Sequence, residues 1–507
     1  MSISSIDKDF LNLPYEKLAD AALAEAKKLK ASYADFRFER LRRQNISLRD
    51  ARVENVLNDN DIGYAVRLIV DGAWGFASSS DLSLSAVKRA VKDAVQLAKA
   101  SRALTNERVE LAPEPSYNDT YVSDYEINPF EVDLKDKVDH LSALANLAQS
   151  ASTINHTVFE VEQALENKFF LNLEGSSITQ QRVRVQGNLT AINIDRATGR
   201  FESMRTTAAP VGRGWEWFTS SKSGYDYASK ISRLPGLIQA KVAAPSVKPG
   251  KYDLVIDPTN LFLTIHESVG HATELDRSLG YEANYAGTSF ATVDKLGKLQ
   301  YGSKLMNITG DRTAEHGLST VGYDDEGVKA QAWDIIKDGK LVGYQLNRQM
   351  AGKMGKTLGV KRSNGCAYGD SFLHPPLQRM PNVSLQPSKE DVSTADLISR
   401  VDDGIYIVGD NSWSIDMQRY NFQFTGQRFY KITRGQLDGQ LKDVAYQANT
   451  IDFWNSLSGL GGASTYVLGG AFNCGKGQPG QVAPVSHGAP SALFSKVNVL
   501  NTQAEGK

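Results

Sequence analysis

Cysteine is almost missing. Cys366 and Cys474 are the two thiols in 507 residues, which excludes a disulfide framework and leaves each as a buried small side chain or a ligand. An excess of one charge is missing too. Lys plus Arg number 57 and Asp plus Glu 58, so there is no global field to hold nucleic acid or an anionic membrane. The one obvious basic run, Arg37 to Arg43, is short, lies in strand-like sequence and is read as a solvated face. Nowhere do about eighteen apolar residues stand together, and Met1 to Asp9 has no basic stretch leading into an apolar run. Neither a membrane span nor a secretory leader is therefore expected, and the expected location is cytoplasmic. Histidine is scarce, seven in the whole chain, so two that fall close together carry weight.

What is present is an ordinary globular composition, long enough for two to four domains. Leu18, Ala22, Ala26 and Leu29 recur at helical spacing after Pro14. Strand-like pieces follow at Phe36 and Phe38, at Ile46 to Arg49 and at Tyr64 to Val70, the last reaching the hairpin signal Asp71-Gly72. Val87, Val91, Val95 and Ala98 mark a second helix, and prolines near Ala112 to Pro115 mark a linker. The order then recurs: a helix over Val138 to Ala148, extended runs at Val158 to Val161 and Phe169 to Leu173, then alternation from Val183 toward a turn at Thr198-Gly199. A helix followed by a meander, twice, implies a weak internal repeat. Past a second linker at Ala243 to Gly250 the chain reads as strands and turns. Hairpins are expected near Asp338-Gly339 and Asp438-Gly439, and a glycine-rich loop from Ser458 through Gly480. The fold class expected is α+β: an N-terminal α+β domain (1–115), a related central domain (116–245) and a C-terminal antiparallel β-rich domain (246–507).

One stretch of the third segment stands apart. Tyr252 to Ile256 alternates like a strand, Asp257 is placed to cap a helix, and Pro258 suits its first position. That helix carries His266, Glu267 and His271, two imidazoles and a carboxylate, the parts from which proteins build a zinc-activated water. The common zinc helix spaces its histidines four apart. Here they are five apart, which on a regular helix turns the second ring about 140° from the first. A shared metal therefore requires a locally widened turn, and Gly270 is read as its relief. The bland alternative is an ordinary helix with two unrelated histidines.

Read together with Asn473-Cys474-Gly475-Lys476-Gly477-Gln478, the His266-Glu267-Ser268-Val269-Gly270-His271 segment resembles the TldD/PmbA family of metalloproteases, in its metal-bearing TldD-type form. The resemblance runs through nearly the whole chain and includes Pro376 to Asn382. It implies that His266, His271 and Cys474 hold Zn2+ and that Glu267 serves as general base. It also implies peptidase activity on short or unfolded peptides inside a dimer-enclosed cavity. The dimer is a homodimer or a pair with a PmbA-like paralogue, without nucleic acid or membrane. His374 and Cys366 receive no role.

A peptide is expected to lie as an added strand along a C-terminal sheet edge, with Ser458 to Gly470 as candidate lining. A thiolate ligand makes zinc a weaker Lewis acid, so modest turnover is expected. No oxyanion donor stands out. The rival from another class is a non-catalytic peptide- or partner-binding regulator whose zinc is structural, closed by a fourth ligand such as Glu274, Asp276 or His374.

Overall fold

The computed structural model describes residues 5–194 and 201–503; the turn expected at Thr198-Gly199 lies outside them. The strand pieces read separately in the N-terminal region are longer single strands. β1 (Tyr33–Arg49) and β2 (Arg52–Val70) form one long hairpin, followed by β3 (Ala73–Ser79). Its turn, Asp50-Ala51, holds both residues at positive φ, 50° and 59°. The conformation suits a two-residue hairpin, but no glycine announces it. The Asp50 carboxylate supplies the stability instead, accepting from the Thr157 N–H at 2.9 Å and meeting the His156 ring at 3.0 Å. Asp71-Gly72 turns β2 into β3 at φ values of 53° and 79°, as its sequence implied.

β4 (Asn118–Val122), β5 (His156–Asn172), β6 (Ser177–Ile194) and β7 (Phe201–Arg205) complete the first sheet, in the order β3-β2-β1-β5-β6-β4 with β7 also on β6. The expected recurrence is visible in the order of elements. A helix (Tyr15–Lys28) precedes β1 to β3 and another (Leu84–Leu104) follows, while Leu134–Gln149 precedes β5 to β7 and Tyr227–Ala243 follows. The two halves join edge to edge through β1 and β5, antiparallel from Asp35 opposite Asn172 to Arg49 opposite Val158.

The period of two divides this sheet into unlike faces. Phe36, Phe38, Val66 and Leu68 meet the first pair of helices, and Phe159, Val185 and Leu189 meet the second. The opposite face is charged yet covered. Arg37 and Arg40, read above as part of a solvated face, are both buried, but on opposite faces: Arg37 on this one and Arg40 on the helix-covered one, 3.4 Å from Asp7. Arg37 reaches Asp325 at 3.3 Å and the carbonyls of Ser371 and His374 at 2.7 and 2.8 Å. Residues more than 280 positions away cover this face, which periodicity within one strand cannot reveal.

β8 (Gly250–Ile256) opens the second sheet, parallel to Asp403–Ile415 and antiparallel to Ala492–Asn501. Val444–Asn449 and Asn421–Thr433 continue it, and Asn421–Thr433 pairs back to Asp403–Ile415, so the strands close into a ring. Phe422, Phe424, Tyr446, Phe453, Trp454 and Phe494 pack in its core. Asp338-Gly339 turns a hairpin as expected, at φ values of 49° and 77°. Asp438-Gly439 does not: it lies inside Gln436–Leu441, opposite a register shift, and the turn is Arg434-Gly435. The glycine-rich segment is likewise no loop. Most of it forms the two-stranded ribbon Val467–Lys476 with Gln481–Ala489, where small residues let other chain segments approach closely. A helix over Arg348–Leu358 also escaped the sequence reading, although Asn347 caps its start and Gly359, at φ 70°, its end. Among the described residues no helix is long and apolar enough to cross a membrane.

Candidate metal centre

Asp257 follows β8 directly and accepts from the Thr259 N–H at 3.0 Å, which starts the helix Pro258–Ile265. Leu261 and Ile265 anchor that helix in the core. The next turn, His266–Gly270, is π-helical, with the His271 N–H donating to the His266 carbonyl five residues back. The widening brings the two imidazoles to a centroid distance of 4.7 Å. It also frees buried carbonyls, each of which needs a donor. Tyr301 donates its hydroxyl to Ser268, Thr273 to Val269 at 2.8 Å, and the Gln345 amide to Gly270 at 2.5 Å. Gly270 plays a different part from the one its place suggested. Its backbone is ordinary helix, φ −53° and ψ −62°, but a Cβ there would stand 2.4 Å from Met380 Sδ. Close approach, not conformational freedom, demands the glycine.

Ligand atoms of His266, His271 and Cys474 lie within 4.8 Å of one another, all buried. Cys474 Sγ is 3.6 Å from His271 Nε2. Cys474 is reached across 203 positions from a strand of the ribbon, just past a register shift after Ala471 that re-aims the side chains. Burial would raise its thiol, but His271 and Arg379 hold it below its usual range. Arg379 also donates to the Cys474 carbonyl and, at 3.3 Å, to that of Gln481. With Met380 under Gly270, the Pro376 to Asn382 segment braces both halves of the centre.

Each imidazole is oriented by a partner on its other nitrogen, the arrangement that fixes tautomer and ring plane in metal sites. His271 Nδ1 is 2.9 Å from the Glu274 carboxylate, and His266 Nδ1 is 2.7 Å from His487 Nε2. His487 Nδ1 in turn is 2.9 Å from the Val383 carbonyl, which can only accept. His487 therefore donates from Nδ1 and accepts at Nε2, so His266 donates from Nδ1 and keeps a lone pair on Nε2. Burial, with His266 and His271 nearby, holds His487 well below the usual histidine range and neutral. Sequence reasoning missed His487; its place between Val485 and Ala489 in a short-residue strand is the signal that marks it as interior.

The carboxylates weighed as further ligands are occupied. Glu274 binds His271, Arg277 at 3.2 Å and Lys476 at 3.1 Å. Burial alone would raise it, but Lys476, His271 and Arg277 hold it well below the usual carboxylate range. Asp276 lies 2.8 Å from the same Lys476. His374 pairs with Asp370 at 2.7 Å, and the Cys366 thiol donates to Asn364 at 3.2 Å. Burial pushes that thiol up to about 12. None of the four joins the three-ligand group. Glu267 lies 2.7 Å from Arg419 Nη1. Its burial is outweighed by His266, His271 and Arg419, which keep it ionised below its usual range.

Two family models match the chain: the PmbA/TldA metallopeptidase C-terminal domain over residues 249–501 and PmbA/TldA metallopeptidase domain 1 over residues 34–98. A metalloprotease of Methanocaldococcus jannaschii is 28% identical over 90% of this chain and 94% of its own length. A zinc metalloprotease TldD homologue of Saccharolobus solfataricus is 23% identical over 94% of this chain and 98% of its own. Among solved structures, TldE from Thermococcus kodakarensis superposes with a TM-score of 0.72 at 17% identity, covering 95% of this chain and 99% of that one. A Thermotoga maritima protein proposed as a modulator of a DNA gyrase reaches 0.75, also at 17% identity, over 96% and 100%. At such identities the structural matches speak for the fold.

Proposed function

The chain belongs to the PmbA/TldD metallopeptidase family, and from that premise we infer that it is a zinc-dependent peptidase acting on short or unfolded peptides. The observation that carries the reading is the convergence of His266, His271 and Cys474 beside an ionised Glu267. Two neutral imidazoles and a thiolate suit zinc, and the residues present fit that ion: Glu274 and His487 turn a lone pair of each ring toward Cys474. When bound, zinc lowers the pKa of a coordinated water to about 7 and polarises a carbonyl. Glu267 takes the proton of the attacking water and returns it to the leaving amine. The buried shell of Met380, Val485 and the π turn keeps bulk water from the donors.

The Val467–Lys476 strand, which carries Cys474, pairs among the described residues with Gln481–Ala489 alone. Its other edge carries no ladder among the described residues, which supports a peptide bound as an added strand past the centre. Main-chain pairing favours extended substrates over folded ones. Enclosure of the site by a second subunit, a copy of this chain or a PmbA-like paralogue, is part of the same reading. The rival, a regulator with a closed structural zinc, requires a fourth protein ligand, and Glu274, Asp276 and His374 are engaged elsewhere.

The test is purification with metal analysis, light scattering, and incubation with an unstructured peptide library read by mass spectrometry. Zinc near one per chain, a dimer and product peptides are expected. Glu267→Gln should keep zinc and lose cleavage by about 100-fold or more. Cleavage at an unchanged rate by that variant would sink the reading.

A further inference from the structure

We infer that Arg419 is the oxyanion-stabilising residue of this centre, pairing with Glu267 at rest and with the carbonyl oxygen of the scissile bond as charge develops there; this rests on the peptidase reading. Arg419 sits at the tip of the hairpin formed by Asp403–Ile415 and Asn421–Thr433, at φ 64°. A non-glycine residue is seldom held there, and here it is held from several sides. The Asp416 carboxylate accepts from the backbone N–H groups of Gln418, Tyr420 and Asn421 at 2.8–3.0 Å. Thr450 donates to the Arg419 carbonyl at 2.8 Å. Thr288 and Phe290 clamp the neighbouring carbonyls of Met417 and Gln418 at 2.8 and 3.0 Å. Such bracing gives a hairpin tip the rigidity that preorganised charge stabilisation requires.

The guanidinium it aims has donors to spare. Nη1 meets Glu267 at 2.7 Å, Nη2 is 3.5 Å from the Ala286 carbonyl, and the buried Nε has no partner among the described residues. The neighbouring Arg277 is fully buried, its Nε 3.2 Å from Glu274 and its Nη1 2.6 Å from the Ala286 carbonyl, and its Nη2 likewise has no hydrogen-bond partner among the described residues; unlike Arg419, it makes no contact with Glu267.

Charge conservation then links the two partners. As water attacks, its oxygen bonds to the carbonyl carbon and its proton passes to Glu267, while the C=O π pair moves onto the carbonyl oxygen. Glu267 becomes neutral in the same step that an equal negative charge appears on the carbonyl oxygen. Without a new partner Arg419, its side chain 13% exposed, would be an unpaired cation with little water to solvate it, which is disfavoured. Pairing with the oxyanion removes that penalty. When the oxyanion collapses, the C–N bond breaks, Glu267 returns the proton to the amine, and the Glu267–Arg419 pair is restored. The interaction with the substrate is therefore made in the transition state and not in the ground state, the condition for raising kcat. A neutral ground-state carbonyl does not displace a carboxylate from the guanidinium in this largely enclosed ion pair.

The experiment compares Arg419→Lys and Arg419→Met with the zinc-loaded wild-type protein. It uses one peptide as free acid and as C-terminal amide, together with a phosphinic analogue of its scissile bond titrated by calorimetry. Expected are unchanged zinc content and KM, a fall in kcat of about 100-fold for Met and less for Lys on both peptides, and a matching loss of affinity for the phosphinic analogue. Unchanged kcat overturns the inference. So does a rise in KM confined to the free acid, which would make Arg419 a reader of the peptide carboxylate. Lost kcat with undiminished analogue affinity also overturns it, because Arg419 would then merely position Glu267. Lysine keeps the charge, so its variant serves if methionine disturbs the hairpin. Wild-type cleavage abolished by Glu267→Gln upholds the peptidase reading whatever Arg419 does, whereas no wild-type cleavage removes both.

Discussion

Among the described residues, two of the buried clusters of ionisable side chains are built on opposite plans. On the covered face of the first sheet, Arg37, Lys168, Arg182 and Arg184 are interleaved with Glu39, Glu166 and Asp325. Lys168 is 2.9 Å from Asp325, and Glu166 takes Arg182 and, at 2.8 Å, Arg184. In the metal centre the donor atoms of two rings and a cysteine sulfur converge. The full charges of Glu274, Lys476, Asp276 and Arg277 stand one layer back. Strong perturbation is common to both: Glu39 is pushed up to about 7 by burial first, against the pull of Lys168 and Arg37. Perturbation by itself therefore does not mark a reactive site. The difference lies in whether donors point at one another or at a shared point in space.

The sharpest way to break this comparison is to remove one of the converging atoms. Cys474→Ser should lose zinc on dialysis, and peptide cleavage with it, whereas Cys366→Ser should keep both, measured by metal analysis of the two proteins. Equal retention would mean that Cys474 is not the third ligand and that a nearby carboxylate such as Glu274 or Asp276 takes that place. Next, Glu166→Gln deprives Arg182, Arg184 and Lys168 of a shared counter-charge and should cost about 3–5 kcal/mol in chemical denaturation. Zinc content should not change, because the network is structural; a variant as stable as wild type would show its charges to be solvated.

His487→Ala tests whether the layer behind the ligands tunes the metal. Zinc affinity, measured by competition with a chelator, should fall about 10- to 100-fold, through misorientation of His266. An unchanged affinity would reduce His487 to packing. The smallest effect carries an inverted sign. With Glu39 raised from 4.5 to about 7 in the fold, the native state binds more protons than the unfolded chain between those values, so this group's contribution to stability falls as pH rises through them. Glu39→Gln should accordingly match wild type near pH 5 and exceed it by on the order of 1 kcal/mol near pH 8 in denaturant titrations. A variant less stable at both pH values would mean that Glu39 is ionised and paired.

What the sequence by itself determined was whatever depends on neighbours along the chain. The cap at Asp257 with Pro258 behind it, the helix they start, the Asp71-Gly72 turn and the need for a widened turn between His266 and His271 all follow from local spacing and backbone geometry. The resemblance added Cys474, more than 200 positions from the histidines it joins. Only the tertiary structure decided which residues stand behind the ligands. His487 arrives from a different strand and Met380 from a different segment, and Arg419 is set by a hairpin tip whose positive φ no glycine announces. The same holds for the buried face of Arg37, since a strand's alternation separates two faces but cannot say which distant segment covers the polar one. Burial and the pairing of charges are properties of the folded chain as a whole. A ligand's identity can thus be local, while its orientation and electrostatics depend on contacts that form only when the ribbon, the π turn and the hairpin tip pack together.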